Sequence, residues 1–341
     1  MITVEQPFGE KLTFCWHNHF ATAATKVRNA SWLSAQNEKL RRLGRDDFRT
    51  LALAMLTDAA MLRWLDGEQN TAKAPNENLS REFMELFALG HGNGSTETDV
   101  REGARALTGW RINPDGSTAP HPRLHDNGTK TVLGVTGDLD QVGFCDAVLA
   151  QSGSARFVTT RIWRQLVSDV PPTGTVVDKL VAAHGPKRNL AALISAMLTT
   201  PQFFAATGTT VINPIEWLIG AVRALRLPIS DDAHVTKLIV VLRALGQIPF
   251  YPPNVSGWPS GHAWLSTAAA VTRMQAATAL AKAANLDSIS GVAQRERVDA
   301  AGRLLGVGSW SARSRVVLAG FAADPRRLVA VALNTPEYLT N

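Results

Sequence analysis

The chain has 341 residues, 45% of them apolar and 19% charged, with a formal net charge of +6. That apolar share is enough to build a core, which excludes a disordered chain, and two cysteines exclude a disulfide-stapled scaffold. The basic excess is spread thinly: its densest run, Lys39-Leu40-Arg41-Arg42-Leu43-Gly44-Arg45, reads as a solvated helix face rather than a nucleic-acid patch.

Helical periodicity fills most of the sequence. Apolar spacing predicts helices over 11–25, 31–43, 46–65, 78–90 and 97–109, then 139–150, 153–168, 175–184 and 188–199. Further helices are expected over 213–226, 231–245, 263–285, 294–305, 311–321 and 325–334. Thr96 with Asp99 forms a capping-box pattern, and Pro214 suits a first helical turn. Residues 111–138 break the pattern, with short β-friendly runs either side of Asp126-Asn127-Gly128, and read as an irregular loop with a small hairpin. Residues 246–262 form a second long loop, which Trp258 and Trp264 should pack down. The apolar helix ends at 51–62, 193–204 and 328–339 echo one another, which fits shared stop signals, with a degenerate duplication as the alternative. The expected fold is therefore mainly α. It is a bundle-like single domain over 1–341, with a subdivision near 135–150 as the alternative, long irregular loops and a small β-hairpin near 111–135.

Two helices carry polar residues where apolar ones belong. In the first, Leu12, Cys15, Trp16, Phe20 and Ala23 share a face with His19 at its centre, and Cys15 reads as a buried free thiol. His17 lies about 160° away, so on a regular helix the two histidines cannot face one point. In the helix over 78–90, Leu79, Phe83, Leu86, Phe87 and Leu89 form a stripe at about 100° per residue. Glu82 falls inside this stripe and Glu85 on its edge. A buried ionised carboxylate needs a partner, a ligand or a cleft. The economical arrangement brings His19 and Glu82 together, with Arg105 completing the cluster and His17, Glu85 and His125 as outer members.

Such a cluster has three readings. His17, His19, Glu82 and Glu85 form an oxygen-plus-imidazole set able to hold a divalent metal. Glu82, His19, Arg105 and His125 could instead serve as catalytic acid–base and anion-binding groups. The third reading is a buried network in which Glu82 pairs with His19 or Arg105. The spacings name no cofactor: Glu-x-x-His, His-Glu-x-x-His, Cys-x-x-Cys-His, the P-loop, the dinucleotide fingerprint and the Gly-x-Ser-x-Gly elbow are all missing from the relevant segments.

Five blocks carry a family likeness: WHNHF, NENxxRExxELFxLG, TExDVxExARALTGW, HDNGTKTVLG and PPNVSGWPSGHAW. From about Lys11 onward the chain resembles the bacterial domain-of-unknown-function family 1800 (DUF1800). The resemblance implies a mostly helical, exported or periplasmic protein, often encoded beside a sulfatase-like partner, with no established activity. It also implies helical sequence before WHNHF that is nearly absent here. The chain itself has no stretch of transmembrane length, and MITVEQPFGEK lacks a signal peptide's apolar core. Three function classes follow: a cell-envelope scaffold or binding protein working with the sulfatase-like partner; a metal-assisted or acid–base hydrolase sited between the WHNHF and NENxxRExxE helices; and a redox protein with non-covalent haem or metal on His17 or His19.

Overall fold

The computed structural model describes residues 1–340. It is mainly helical, with two small antiparallel hairpins, and the chain divides into two compact units. The larger comprises residues 6–204 and 250–258, and the smaller comprises 1–5, 205–249 and 259–340. Residues 135–150 lie inside the larger unit.

The larger unit begins with α1 (Phe8–His19), α2 (Ala24–Val27), α3 (Ala30–Leu43), α4 (Phe48–Leu56) and α5 (Ala59–Trp64). The helix expected over 46–65 is split because Asp58 starts a new one, its carboxylate accepting Met61 N–H at 3.1 Å. Asp58 is buried, and it is neutralised and satisfied by Lys39 Nζ (2.7 Å) and Gln36 Nε2 (2.7 Å); Gln36 in turn accepts Thr22 Oγ1–H (2.6 Å). α6 (Asn78–Glu82) runs directly into a π-helix over Phe83–Ala88, and α7 (Glu97–Ala106) starts on the capping box that Thr96 and Asp99 make.

The two hairpins are β1 (Trp110–Ile112) with β2 (Thr118–Pro120), and β3 (Lys130–Val132) with β4 (Val135–Gly137). The expected turn at Asp126-Asn127-Gly128 lies between them instead of closing one. Asp126 folds that segment locally by accepting Gly128 N–H at 2.8 Å. The β3–β4 reversal is Leu133-Gly134, both at positive φ (50° and 85°), as a tight hairpin turn requires. α8 (Gln141–Leu149), α9 (Ser152–Leu166), α10 (Gly174–His184) and α11 (Leu190–Leu198) follow, and the short α12 (Pro201–Ala205) leads to the unit boundary. The core of this unit is aromatic around Trp16, Phe20, Phe48 and Phe87, with Phe83 against Phe144. Both cysteines are buried and neither is in a disulfide, and burial pushes Cys145 up to about 12.

The smaller unit contains α13 (Pro214–Ala224), α14 (Asp232–Ala244), α15 (Thr267–Ala283), α16 (Asp287–Ser290), α17 (Arg297–Leu305), α18 (Ala312–Ala319), α19 (Pro325–Ala332) and α20 (Pro336–Leu339). α15 packs along α19, and the buried Trp217 donates from Nε1 to Leu333 O at 2.9 Å. Arg223 ties the first residues to α13 by donating to the carbonyls of Met1, Ile2 and Val4. Trp264 of this unit and Trp258 of the larger one are both buried, as expected of residues that pack their loop down. No helix among the described residues is long and apolar enough to cross a membrane.

Candidate functional site

The last turn of α1 is a junction in which four consecutive residues all hold distant segments. Trp16 Nε1 donates to Gly44 O at 2.6 Å. His17 Nε2 accepts Phe250 N–H at 3.0 Å. Asn18 Oδ1 accepts Trp258 N–H at 2.7 Å while its Nδ2 donates to Gln165 Oε1 at 3.3 Å. His19 Nε2 lies 2.7 Å from Phe87 O, inside the π-helix. The two histidines face apart, as the helical angle between them demands.

These contacts settle the tautomers. His17 accepts at Nε2, so its proton sits on Nδ1; His19 must donate at Nε2, because a carbonyl only accepts. Both rings are buried among aromatics: His17 by Phe14, Phe250 and Trp258, and His19 by Trp16, Phe20, Phe48 and Phe87. Burial drives His17 down to about 4 and His19 to about 3, the latter helped by the positive charge of Arg161. Both are neutral across the physiological range.

The segment anchored by His17 shapes a cleft. Phe250 sits at φ 65°, an uncommon conformation for a bulky side chain, and is held there from both sides. Its N–H goes to His17, and its carbonyl accepts Ala24 N–H at 2.8 Å. Phe250 and the half-exposed Tyr251 thereby line a cavity of about 450 Å³ together with Arg28, Leu33, Ser34 and Asn37. No carboxylate lines it. The far side of the same loop is fastened to α9, where Arg161 Nη2 donates to Ser256 O at 2.8 Å.

Glu82 is placed differently from the expectation. It is half-buried at the edge of the stripe and makes no hydrogen bond or ion pair with a described residue. The π-helix explains the shift: buried positions recur every four residues (Leu79, Phe83, Phe87 and Ser80, Met84, Ala88), so a 100° wheel misplaces Glu82. Burial, then the neighbouring Glu85, hold the Glu82 carboxyl above its usual range. Glu85 carries the partners instead: His91 Nδ1 at 3.1 Å and Arg81 Nη1 at 3.4 Å, with Arg81 also bound to Glu77 (2.9 Å) and Glu97 (2.7 Å). No hydrogen bond joins His19 and Glu82: His19 Nε2 is bonded to Phe87 O, and its Nδ1 is buried without a partner among the described residues.

Arg105 does not complete a cluster with Glu82 either. Its forked donors engage Asp126 (2.7 and 3.2 Å) and Glu102 (2.9 Å), and the Arg105 guanidinium holds the Asp126 carboxyl low. His125 Nδ1 donates to Thr108 O at 3.0 Å, and Thr108 Oγ1 accepts Asp126 N–H at 2.9 Å. Arg105 and His125 thus fasten the HDNG loop to the end of α7. Among the described residues, no group of three or more His, Cys, Asp or Glu side chains is gathered in a metal-holding arrangement, so His17, His19, Glu82 and Glu85 do not form the expected ligand set. Sequence reasoning missed Tyr251, Asn37, Arg161 and His91; the Phe250-Tyr251 pair ahead of Pro252-Pro253 in a long loop was the available signal for the first.

A family model described as "Protein of unknown function (DUF1800)" matches residues 1–340. The chain belongs to this family. The DUF1800 match starts ahead of Lys11, where the recognisable motifs begin, and its WHNHF and NVSGWP blocks are the two sides of the junction built by His17 and Asn18. No curated protein and no solved structure matches the chain.

The Glu82 geometry gives a first expectation. A carboxyl whose folded value is raised destabilises the fold at neutral pH, and that penalty fades as acid protonates it. Glu82→Gln should therefore be neutral or stabilise by up to about 1 kcal/mol at pH 7, with the gain shrinking at pH 4. Urea midpoints at both pH values check this; a loss of several kcal/mol at pH 7 would mean that Glu82 has a structural partner.

Proposed function

We propose that this DUF1800 protein is a cell-envelope scaffold or binding protein that acts with a sulfatase-like partner, and that the Phe250–Tyr251 cleft is its ligand site. The observation that carries the reading is the strained Phe250, fixed on both sides by His17 and Ala24 so that it and Tyr251 wall a preformed cavity. Preformed walls suit binding, because the ligand does not have to order them. The lining combines an aromatic platform, a hydroxyl, an amide and one guanidinium without any carboxylate. Arg28 donates its Nε to Thr25 O, which leaves its terminal nitrogens for a ligand. That chemistry fits a saccharide bearing an anionic substituent, with Tyr251 stacking on a sugar face and Asn37 and Ser34 pairing with hydroxyls. The implied sulfatase-like partner supports a sulfated one.

The test is calorimetric titration with a sulfated disaccharide and its desulfated counterpart. The sulfated form should bind more tightly, and Tyr251→Ala and Asn37→Ala should each weaken it about ten-fold, a change of about 1.4 kcal/mol. Absence of saturable binding, or variants that bind as the parent does, would reject the cleft as the site.

One observation favours a second reading. Glu82 and Glu85 are neighbouring carboxylates in unlike environments, one raised and unpartnered and the other held by His91 and Arg81, which is the pattern of an acid–base pair. A hydrolase using them would lose turnover on Glu82→Gln with its fold intact.

A further inference from the structure

The smaller unit contains a cavity of about 650 Å³, within the size range of small-molecule sites. Its polar lining comes from Arg226, Arg303, Asn285 and Ser288, and its apolar lining includes Leu227 and Leu304. No carboxylate lines it, and neither guanidinium has an ion-pair partner among the described residues. The acid nearest in sequence on α17, Asp299, is engaged by Arg315 at 2.8 Å. Asn285 uses its side-chain oxygen to accept Asp287 N–H at 2.8 Å, so the group it has left to offer is the Nδ2 donor. The cavity therefore presents guanidinium, amide and hydroxyl donors beside aliphatic surface.

Arg226 supplies a second, independent observation. It follows the end of α13 with φ 52°, where Leu227 N–H bonds to Val222 O and Arg226 N–H to Arg223 O. This is the helix-ending motif whose left-handed position glycine fills at least cost. An arginine there carries backbone strain that its own α-helix does not require.

We infer that this cavity binds a small organic anion: a phosphate, sulfate or carboxylate group held by Arg226 and Arg303, with an apolar body against Leu227 and Leu304. The inference is independent of the cleft in the larger unit. Two arginines supply planar donor forks suited to such oxyanions.

Hexyl phosphate is the probe, titrated calorimetrically at low salt beside inorganic phosphate and hexanol. Hexyl phosphate should bind saturably at one site and at least about ten-fold more tightly than either control. Arg226→Gly should weaken that binding about ten-fold or more while the melting temperature stays level or rises, because glycine relieves the left-handed strain. Arg303→Ala should weaken it similarly, and Arg313→Ala, an exposed arginine outside the lining, should leave it unchanged. Inorganic phosphate binding as tightly as hexyl phosphate would overturn the apolar half of the assignment. Lack of saturable binding by the parent, or an unchanged affinity in Arg226→Gly and Arg303→Ala, would overturn all of it.

Discussion

Acidification from pH 7 to pH 5 should cost the larger unit about 5–6 kcal/mol, enough to unfold a domain of ordinary stability. Three buried histidines set the size of this effect. Burial depresses His17 to about 4, His19 to about 3 and His184 to about 4, against an ordinary value of 6.5. A lowered histidine means that the unfolded chain binds the proton first. Stability is therefore fully present above pH 6.5 and declines as pH falls toward the folded values. Each group contributes about 1.4 kcal/mol per pH unit in that window, so three give about 4 kcal/mol per unit once all are titrating. Urea unfolding at pH 7, 6 and 5, followed by tryptophan fluorescence, should show the midpoint falling steeply. A midpoint that is flat over this range would mean that the rings are accessible and protonated in the folded protein.

His19→Ala should be among the most damaging single substitutions in the chain, with a loss of about 3–5 kcal/mol. The ring is packed edge-on against Trp16, Phe20 and Phe48, and its removal opens a cavity in a dense aromatic core. It also deprives Phe87 O of its donor at a point where the π-helix has already rearranged the backbone ladder. Phe87 O accepts from the side chain because the wider turn redirects the backbone amides: Leu89 N–H and Gly90 N–H both go to Met84 O. Denaturant titration of His19→Ala against Glu82→Gln makes the comparison sharp, since one is expected to be severe and the other mild. A loss below about 1 kcal/mol for His19→Ala would mean that neither the aromatic packing nor the bond to Phe87 O stabilises the fold.

The sequence carried the helical architecture because amphipathic spacing reports burial directly, and local chemistry such as the Thr96–Asp99 box and Asn213-Pro214 marks helix starts. It also signalled that His19 is unusual, since a polar ring in the middle of an apolar face is visible without coordinates. What it could not carry was the partner. His19 bonds to a backbone carbonyl, and a backbone acceptor has no sequence signature. Glu82 was misread for a related reason: the π-helix alters the residue angle within one segment, and a wheel drawn at a constant angle turns the carboxylate into the core. The HDNG turn failed as a hairpin signal because Arg105, distant in sequence, holds Asp126 by tertiary ion pairing. The Tyr251 cleft was illegible because it depends on one loop meeting helices more than two hundred residues earlier.

WHNHF is thus a structural junction in which neutral His17 fastens the loop that shapes the cleft and neutral His19 fastens the π-helix. Long-range proton–nitrogen NMR of the histidine side chains between pH 6 and 8, where the larger unit stays folded, reads both rings. His17 should appear as the Nδ1–H tautomer with Nε2 accepting from Phe250, and His19 as the Nε2–H tautomer, and neither should titrate in that range. A His17 ring protonated at Nε2, or either ring titrating near 6.5, would contradict that junction.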